Sequence, residues 1–291
     1  MLPISQKYRH LFVEMMKGTT RHSQEITTEN VFQKANPTTR PHIDKIVAEH
    51  LLPGSGFEGV ENLYQLHDLS AQGRSCLILL EHYSNFDLPA FLYLLERVGP
   101  KAKQIADGIV AISGMKLNEE SKVVLAFSEA YTRIVIYPSR YFDGITDPEK
   151  LAAERRRSSA INRASLHEMV RCKHSGHIIL VFPTGTRYRP GKPDTKRGLK
   201  EIDSYIKSFD YMLFVASSGN ILRINPEGEM TEDLICEDKI VFKASPLVKC
   251  HEFRDRVRAE APAGADPKQF VVDRVMAELE RAHVELEAGK P

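Results

Sequence analysis

Short apolar runs at residues 76–80, 108–112, 134–137, 178–182, 212–216 and 239–242 constrain this chain most. Each is too short for a core helix, and consecutive apolar positions leave no solvent face. Such runs read as strands buried on both sides. A sheet buried on both faces needs helices to cover it, and the intervening segments supply them. Residues 88–98 and 151–173 carry helical periodicity, with Leu151, Ile161, Leu166, Met169 and Val170 offered as the core face of the longer one. Residues 268–288 form a charged amphipathic stretch with Phe270, Val271, Val275, Met276 and Leu279 on one side. Strands alternating with helices predict an α/β fold, a central mixed β-sheet flanked by helices.

Before the first run, residues 8–16, 29–34, 41–52 and 60–69 read as helices, interrupted by GSGFEG at 54–59. The expected organisation is a small N-terminal helical subdomain over 1–70 and a main α/β domain over 71–291. Hydrophobic residues make up 42% and charged residues 27% of the 291, so the chain carries enough apolar surface to fold unaided. Lys and Arg total 40 against 39 Asp and Glu, so no global field announces nucleic acid, and any anion site must be local. The four cysteines are scattered without a CxxC pair, as in a reducing cytoplasm. No apolar run approaches the roughly 20 residues that span a bilayer, and the polar first residues hold no secretory signal.

Two segments carry chemistry. In EHYSNFD, at 81–87, His82 ends a predicted strand and Asp87 stands where the next helix begins. A carboxylate that accepts one ring N–H fixes the imidazole and leaves its other nitrogen to take a proton from an alcohol. Asp87 could equally cap its helix, and His82 could be a structural polar residue. In FPTGTRYRP, at 182–190, a Pro-Gly turn follows a strand and presents Arg187 and Arg189, whose planar guanidiniums match phosphate oxygens. A solvated basic loop is the plain alternative.

Together the two segments resemble the glycerophosphate acyltransferase family. HYSNFD matches its His-x4-Asp motif. FPTGTR matches its Phe-Pro-Glu-Gly-Thr-Arg motif except at Thr184, and the two stand in the family's order about a hundred residues apart. The stretch RRSSAINRASLHEMV and the Gly-x-Arg-x-Arg-Pro pattern are similar to the soluble, plastid-type glycerol-3-phosphate acyltransferases, which also lack the Glu at Thr184. Arg140, in IVIYPSRY, stands near the basic residues of the family's middle motif.

The resemblance implies transfer of a fatty acyl group from acyl-acyl carrier protein or acyl-CoA to the 1-hydroxyl of glycerol 3-phosphate. His82 is then the base oriented by Asp87, and Arg140, Arg187 and Arg189 hold the phosphate. Asn85, Gly185 and Thr186 are candidates for positioning or for the oxyanion. No cofactor is implied, and peripheral membrane contact is expected from a lipid product. The expected location is cytoplasmic, or the stroma in a plastid-bearing source. An acidic carrier needs a basic surface, for which Arg155, Arg156, Arg157 and Arg163, or Lys192, Lys196 and Arg197, are available.

The competing readings are acylation of the 2-position of 1-acylglycerol 3-phosphate and an inactive phosphate- or lipid-binding relative. GSGFEG formally matches a dinucleotide-binding pattern but follows a helix rather than a strand, so it is set aside. His167 and Glu168 begin a zincin-like pair, yet Arg171 occupies the partner position, so no metal is predicted.

Overall fold

A computed structural model describes residues 1–19, 25–119, 121–226 and 228–289. Among them are twelve strands: β1 (Leu2–Pro3), β2 (Phe32–Gln33), β3 (Gly56–Glu58), β4 (Cys76–Leu80), β5 (Ile109–Gly114), β6 (Arg133–Ile136), β7 (Ile178–Val181), β8 (Tyr211–Ser218), β9 (Leu222–Arg223), β10 (Leu234–Ile235), β11 (Val241–Ala244) and β12 (Val248–Lys249). The main sheet runs β2-β6-β5-β7-β4-β8-β11-β3, with β12 also paired to β8. Its centre, β6-β5-β7-β4-β8, is parallel, and antiparallel pairings join β2 to β6 and β11 to β8. The chain is thus α/β with a large mixed sheet flanked by helices. Strands β1, β10 and β9 form a small separate sheet.

The central strands alternate between two cores, as a pleat with period two requires. Cys76, Ile78, Leu80, Ile178, Leu180, Leu213 and Val215 face one side, where helices Arg40–His50, Val60–Ala71, Asp87–Val98 and Pro100–Gly108 contribute. Leu77, Leu79, Ile179, Val181, Met212 and Phe214 face the other, beneath helices Pro148–Lys173, Ile202–Ser208, Cys250–Ala259 and Pro267–Ala288. Buried on both faces, β4 and β7 keep no polar side chain, which is why they read so clearly in the sequence.

Several expectations give way to tertiary partners. Residues 29–34 are not a helix: after a turn, β2 pairs with β6, and the Gln33 side chain accepts from Arg133 at 2.6 and 3.1 Å. That buried partner outweighs local helix preference. The GSGFEG interruption holds β3, parallel to β11. Residues 1–70 therefore supply strands to the main sheet, and Ile43, Ile46, Val47, Leu63 and Leu66 share a core with Ile78 and Leu80.

The strand expected at 239–242 starts two residues later. Helix Pro100–Gly108 and strands β1, β9, β10 and β12 carried no periodicity to announce them. In helix Pro148–Lys173, Leu166 and Val170 do not face the core but are 51% and 41% exposed. Hydrogen bonds set the helix rotation instead. Ser165 donates to Val135 O at 2.6 Å, and Asn162 bonds both N–H and C=O of Tyr137 at 2.8 and 2.9 Å, turning Ile161, Met169 and Cys172 inward.

Among the described residues, no helix is long and apolar enough to cross a membrane.

Candidate active site

Strands β4 and β7 are neighbours in parallel register, Leu79 opposite Val181, so the segments that follow them emerge side by side at the carboxyl edge of the sheet. Chain connections leave β4 in one direction, towards β5, and β7 in the other, towards β8. In open α/β sheets, ligands bind outside the strand ends at such a switch point. The pairing of β4 with β7 brings HYSNFD and FPTGTR together across a hundred residues of sequence.

At this edge, His82 Nδ1 lies 2.9 Å from Asp87 Oδ2, and the His82 ring stacks on Phe182 with centroids 4.1 Å apart. The same Asp87 oxygen accepts the N–H groups of Tyr83 at 2.7 Å and Ser84 at 2.8 Å. Asp87 opens helix Asp87–Val98 but does not cap it. Its side chain reaches back to close the loop, so one buried carboxylate fixes both the loop and the imidazole. An oxygen that already accepts two amide N–H groups meets the ring as an acceptor, so Nδ1 of His82 is the donor in this contact. Nε2 bonds to none of the described residues and is left to accept a proton. Tyr188 N donates to His82 O at 2.8 Å, stitching the second loop onto the first.

The FPTGTR turn is closed by Gly185 N donating to Phe182 O at 2.9 Å. Gly185 has φ +59, and a Cβ there would meet Leu199 Cδ1 at 2.5 Å, so only glycine fits without strain. Its amide is thereby committed to the turn. Thr184 is buried and its hydroxyl donates to Thr186 O at 2.6 Å, a bond that a longer acidic side chain at 184 would not make.

Arg187 is 7% exposed and forms an ion pair through Nη1 with Asp233, which is 1% exposed. Its Nε and Nη2 bond to none of the described residues. Asn85 Nδ2 lies 3.5 Å from the same Asp233 oxygen, and Asn225 N donates to the other at 3.2 Å. Burial pushes the Asp233 carboxyl above its usual range, while Arg187 pulls it back. Arg189 is exposed at the rim of the turn. Arg140 lies in the turn Ser139–Phe142 after β6, at the same sheet edge, but its side chain is outside the described residues.

Spacing gave no sign of three further residues. Asp233 sits in an acid-rich segment, TEDLICED, with nothing to mark it from its neighbours. Glu81 precedes His82, and the pleat sends its side chain to the opposite face. There it accepts from Ser217 N at 2.9 Å and meets His283 Nδ1 at 3.2 Å, on helix Pro267–Ala288. The Glu81 hydrogen bond raises the His283 pKa above its ordinary value, and burial raises that of Glu81. His283 also stacks on Tyr83, centroids 5.0 Å apart, so the helix braces the loop from behind.

The cysteines offer no nucleophile here: burial pushes the Cys76 thiol up to about 12 and raises Cys172 and Cys236 as well. Among the described residues no cluster of three His, Cys, Asp or Glu side chains is placed to hold a metal. No protein-family model matches this chain, and no curated protein matches it.

Proposed function

We propose that the chain is an acyltransferase that moves a fatty acyl group from a thioester, acyl-acyl carrier protein or acyl-CoA, to the 1-hydroxyl of glycerol 3-phosphate. The observation that carries this reading is the His82–Asp87 pair, with Nε2 open, stacked on Phe182 at the carboxyl edge of the sheet, with its loop tied to the one that holds the buried Arg187. His82 Nε2 takes the hydroxyl proton as the oxygen attacks the thioester carbonyl, and the imidazolium formed is stabilised by Asp87. Collapse of the tetrahedral intermediate breaks the C–S bond, and the proton passes from His82 to the departing sulfur. No acyl-enzyme forms, in keeping with the absence of a low-pKa thiol.

Arg187, with one nitrogen fixed by Asp233 and two others unengaged, holds the phosphate together with Arg189 and Arg140, and this binding places the hydroxyl at the base. Asn85 and Thr186 line the same loops and are the remaining candidates to polarise the carbonyl oxygen. Gly185 serves as the turn residue that makes the loop possible. The similarity of both motifs, in order and content, to the glycerophosphate acyltransferases supports the same reading.

The test is a radiolabelled acceptor assay with matched carrier-protein and CoA donors, offering glycerol 3-phosphate and 1-acylglycerol 3-phosphate separately. Transfer to glycerol 3-phosphate is expected. Preference for the lysolipid would move the assignment to the 2-position, and no transfer to either would leave a binding protein.

A further inference from the structure

Two basic surfaces were legible in the sequence, and tertiary pairing separates them. In the first, Arg157 turns inward to Glu119 at 3.4 Å and to Glu154 and Glu25 at 3.9 Å, leaving Arg155, Arg156 and Arg163 exposed with no acidic partner among the described residues. In the second, Lys196 is paired with Glu280 and the neighbouring Lys200 with Asp266, which leaves Lys192 and Arg197, both exposed, as the two cations without an acidic partner among the described residues.

The three unpaired arginines lie along the outer face of helix Pro148–Lys173 and rim an open recess of about 380 Å³ floored by Ser159 and Ala160. From Arg155 to Arg163 the helix rises about 12 Å. One turn further on, the same side of the helix carries Leu166 and Val170, the two apolar residues that fail to reach the core. Arginines followed by exposed aliphatic side chains form a stripe one helix wide. That shape fits a helix presenting carboxylates with apolar side chains between them, whereas an anionic bilayer would demand a broad face.

Location ties the stripe to the site. Helix Pro148–Lys173 leads into β7 and so begins at the carboxyl edge of the sheet, and Arg155 lies over the ring of Phe142, 5.8 Å from its centroid. Phe142 ends the turn that follows β6 at the same edge as His82. We infer that Arg155, Arg156, Arg163, Leu166 and Val170 are the docking surface for an acidic protein that carries the acyl thioester, a proposal that rests on the acyl-transfer reading above. The partner's carboxylates meet the arginines, and its thioester arm reaches round the start of the helix to His82.

The experiment titrates fluorescently labelled acyl carrier protein against the wild-type chain, the variant Arg155→Glu/Arg156→Glu/Arg163→Glu and a control, Lys192→Glu/Arg197→Glu. Binding to wild type that weakens as salt rises, and that weakens about 10-fold or more in the triple variant but not in the control, is the expected result. In transfer assays the ratio of carrier-borne to CoA-borne turnover should fall by a similar factor. A triple Arg→Gln variant, which removes charge without adding any, gives the same comparison if the reversed chain does not fold.

Equal binding by wild type and triple variant, or a loss confined to the control, overturns the proposal. So does flotation with phosphatidylglycerol vesicles that the triple variant loses while carrier binding stands unchanged. Transfer absent with both donors, beside carrier binding that depends on the arginines, would overturn the catalytic reading and leave the docking surface in place.

Discussion

At the residue scale the site depends on one carboxylate doing two things. Asp87 Oδ2 serves His82 and the amides of Tyr83 and Ser84 together, so its loss removes the orientation of the imidazole and the closure of the loop. His82→Ala, by contrast, leaves the loop bonds intact and isolates the chemistry. Acyl transfer should fall by about 100-fold or more with little change in thermal stability, and near-normal turnover would refute the base assignment.

Arg187 is harder to dissect, because truncation strands Asp233 as a buried charge, at a cost of about 3–5 kcal/mol. Arg187→Lys keeps the charge but loses the planar fork. It should raise the Michaelis constant for the phosphorylated acceptor much more than that for the thioester. Similar rises for both substrates would mean that Arg187 only supports Asp233. The His-x4-Asp spacing was readable in the sequence. The partnership of Arg187 with a residue 46 positions away was not, because no local pattern encodes an ion pair between two loops.

Elements are joined by similar polar contacts. Asp203, 1% exposed on helix Ile202–Ser208, accepts from Arg254 at 2.8 and 3.1 Å and from Arg258 at 3.3 Å, both on helix Cys250–Ala259. Removing it leaves two arginines at a buried seam. Asp203→Ala should lower unfolding stability in urea by about 3 kcal/mol, the low end of the range for a broken buried pair, since Arg258 is one-third exposed. A change within 0.5 kcal/mol would show that the seam is held by Phe253 and Ile206 alone.

The same reasoning explains which elements were legible. Runs such as CLILL and IILV announce strands because burial on both faces leaves no polar position. Two-residue strands such as β2 and β10 have no period to detect and exist only because a neighbour supplies their hydrogen bonds. Helix Pro148–Lys173 is recognisable as a helix, but its rotation follows from Asn162 and Ser165 bonding to the chain at β6, so Leu166 and Val170 face solvent although their spacing places them on the apolar side.

Across the whole molecule, helix Pro267–Ala288 is locked to the end of β4, next to His82. His283 bonds the buried Glu81, and its pKa lies above the ordinary value chiefly through that bond. A raised folded pKa means that the stabilisation is fully present below the unfolded value, about 6.5, and is lost as pH rises through the folded one. Urea melts of wild type and His283→Gln should therefore differ most near pH 6 and converge as pH rises through the folded value. A difference independent of pH would assign His283 to stacking on Tyr83 alone.

The sequence by itself determined the layered α/β plan, the strands of the sheet's centre, and the two motifs with their residue types, because these follow from local apolar periodicity and from chemistry written in contiguous residues. Only the tertiary structure decided that β4 and β7 lie side by side, so that the loops carrying His82 and Arg187 meet. It also decided that Asp233 and Glu81 stand behind them, that residues 32–33 and 56–58 join the main sheet, and which arginines remain unneutralised. The His82–Asp87 pair needs one loop to exist, whereas everything around it depends on contacts between distant segments, whose geometry no window of sequence contains.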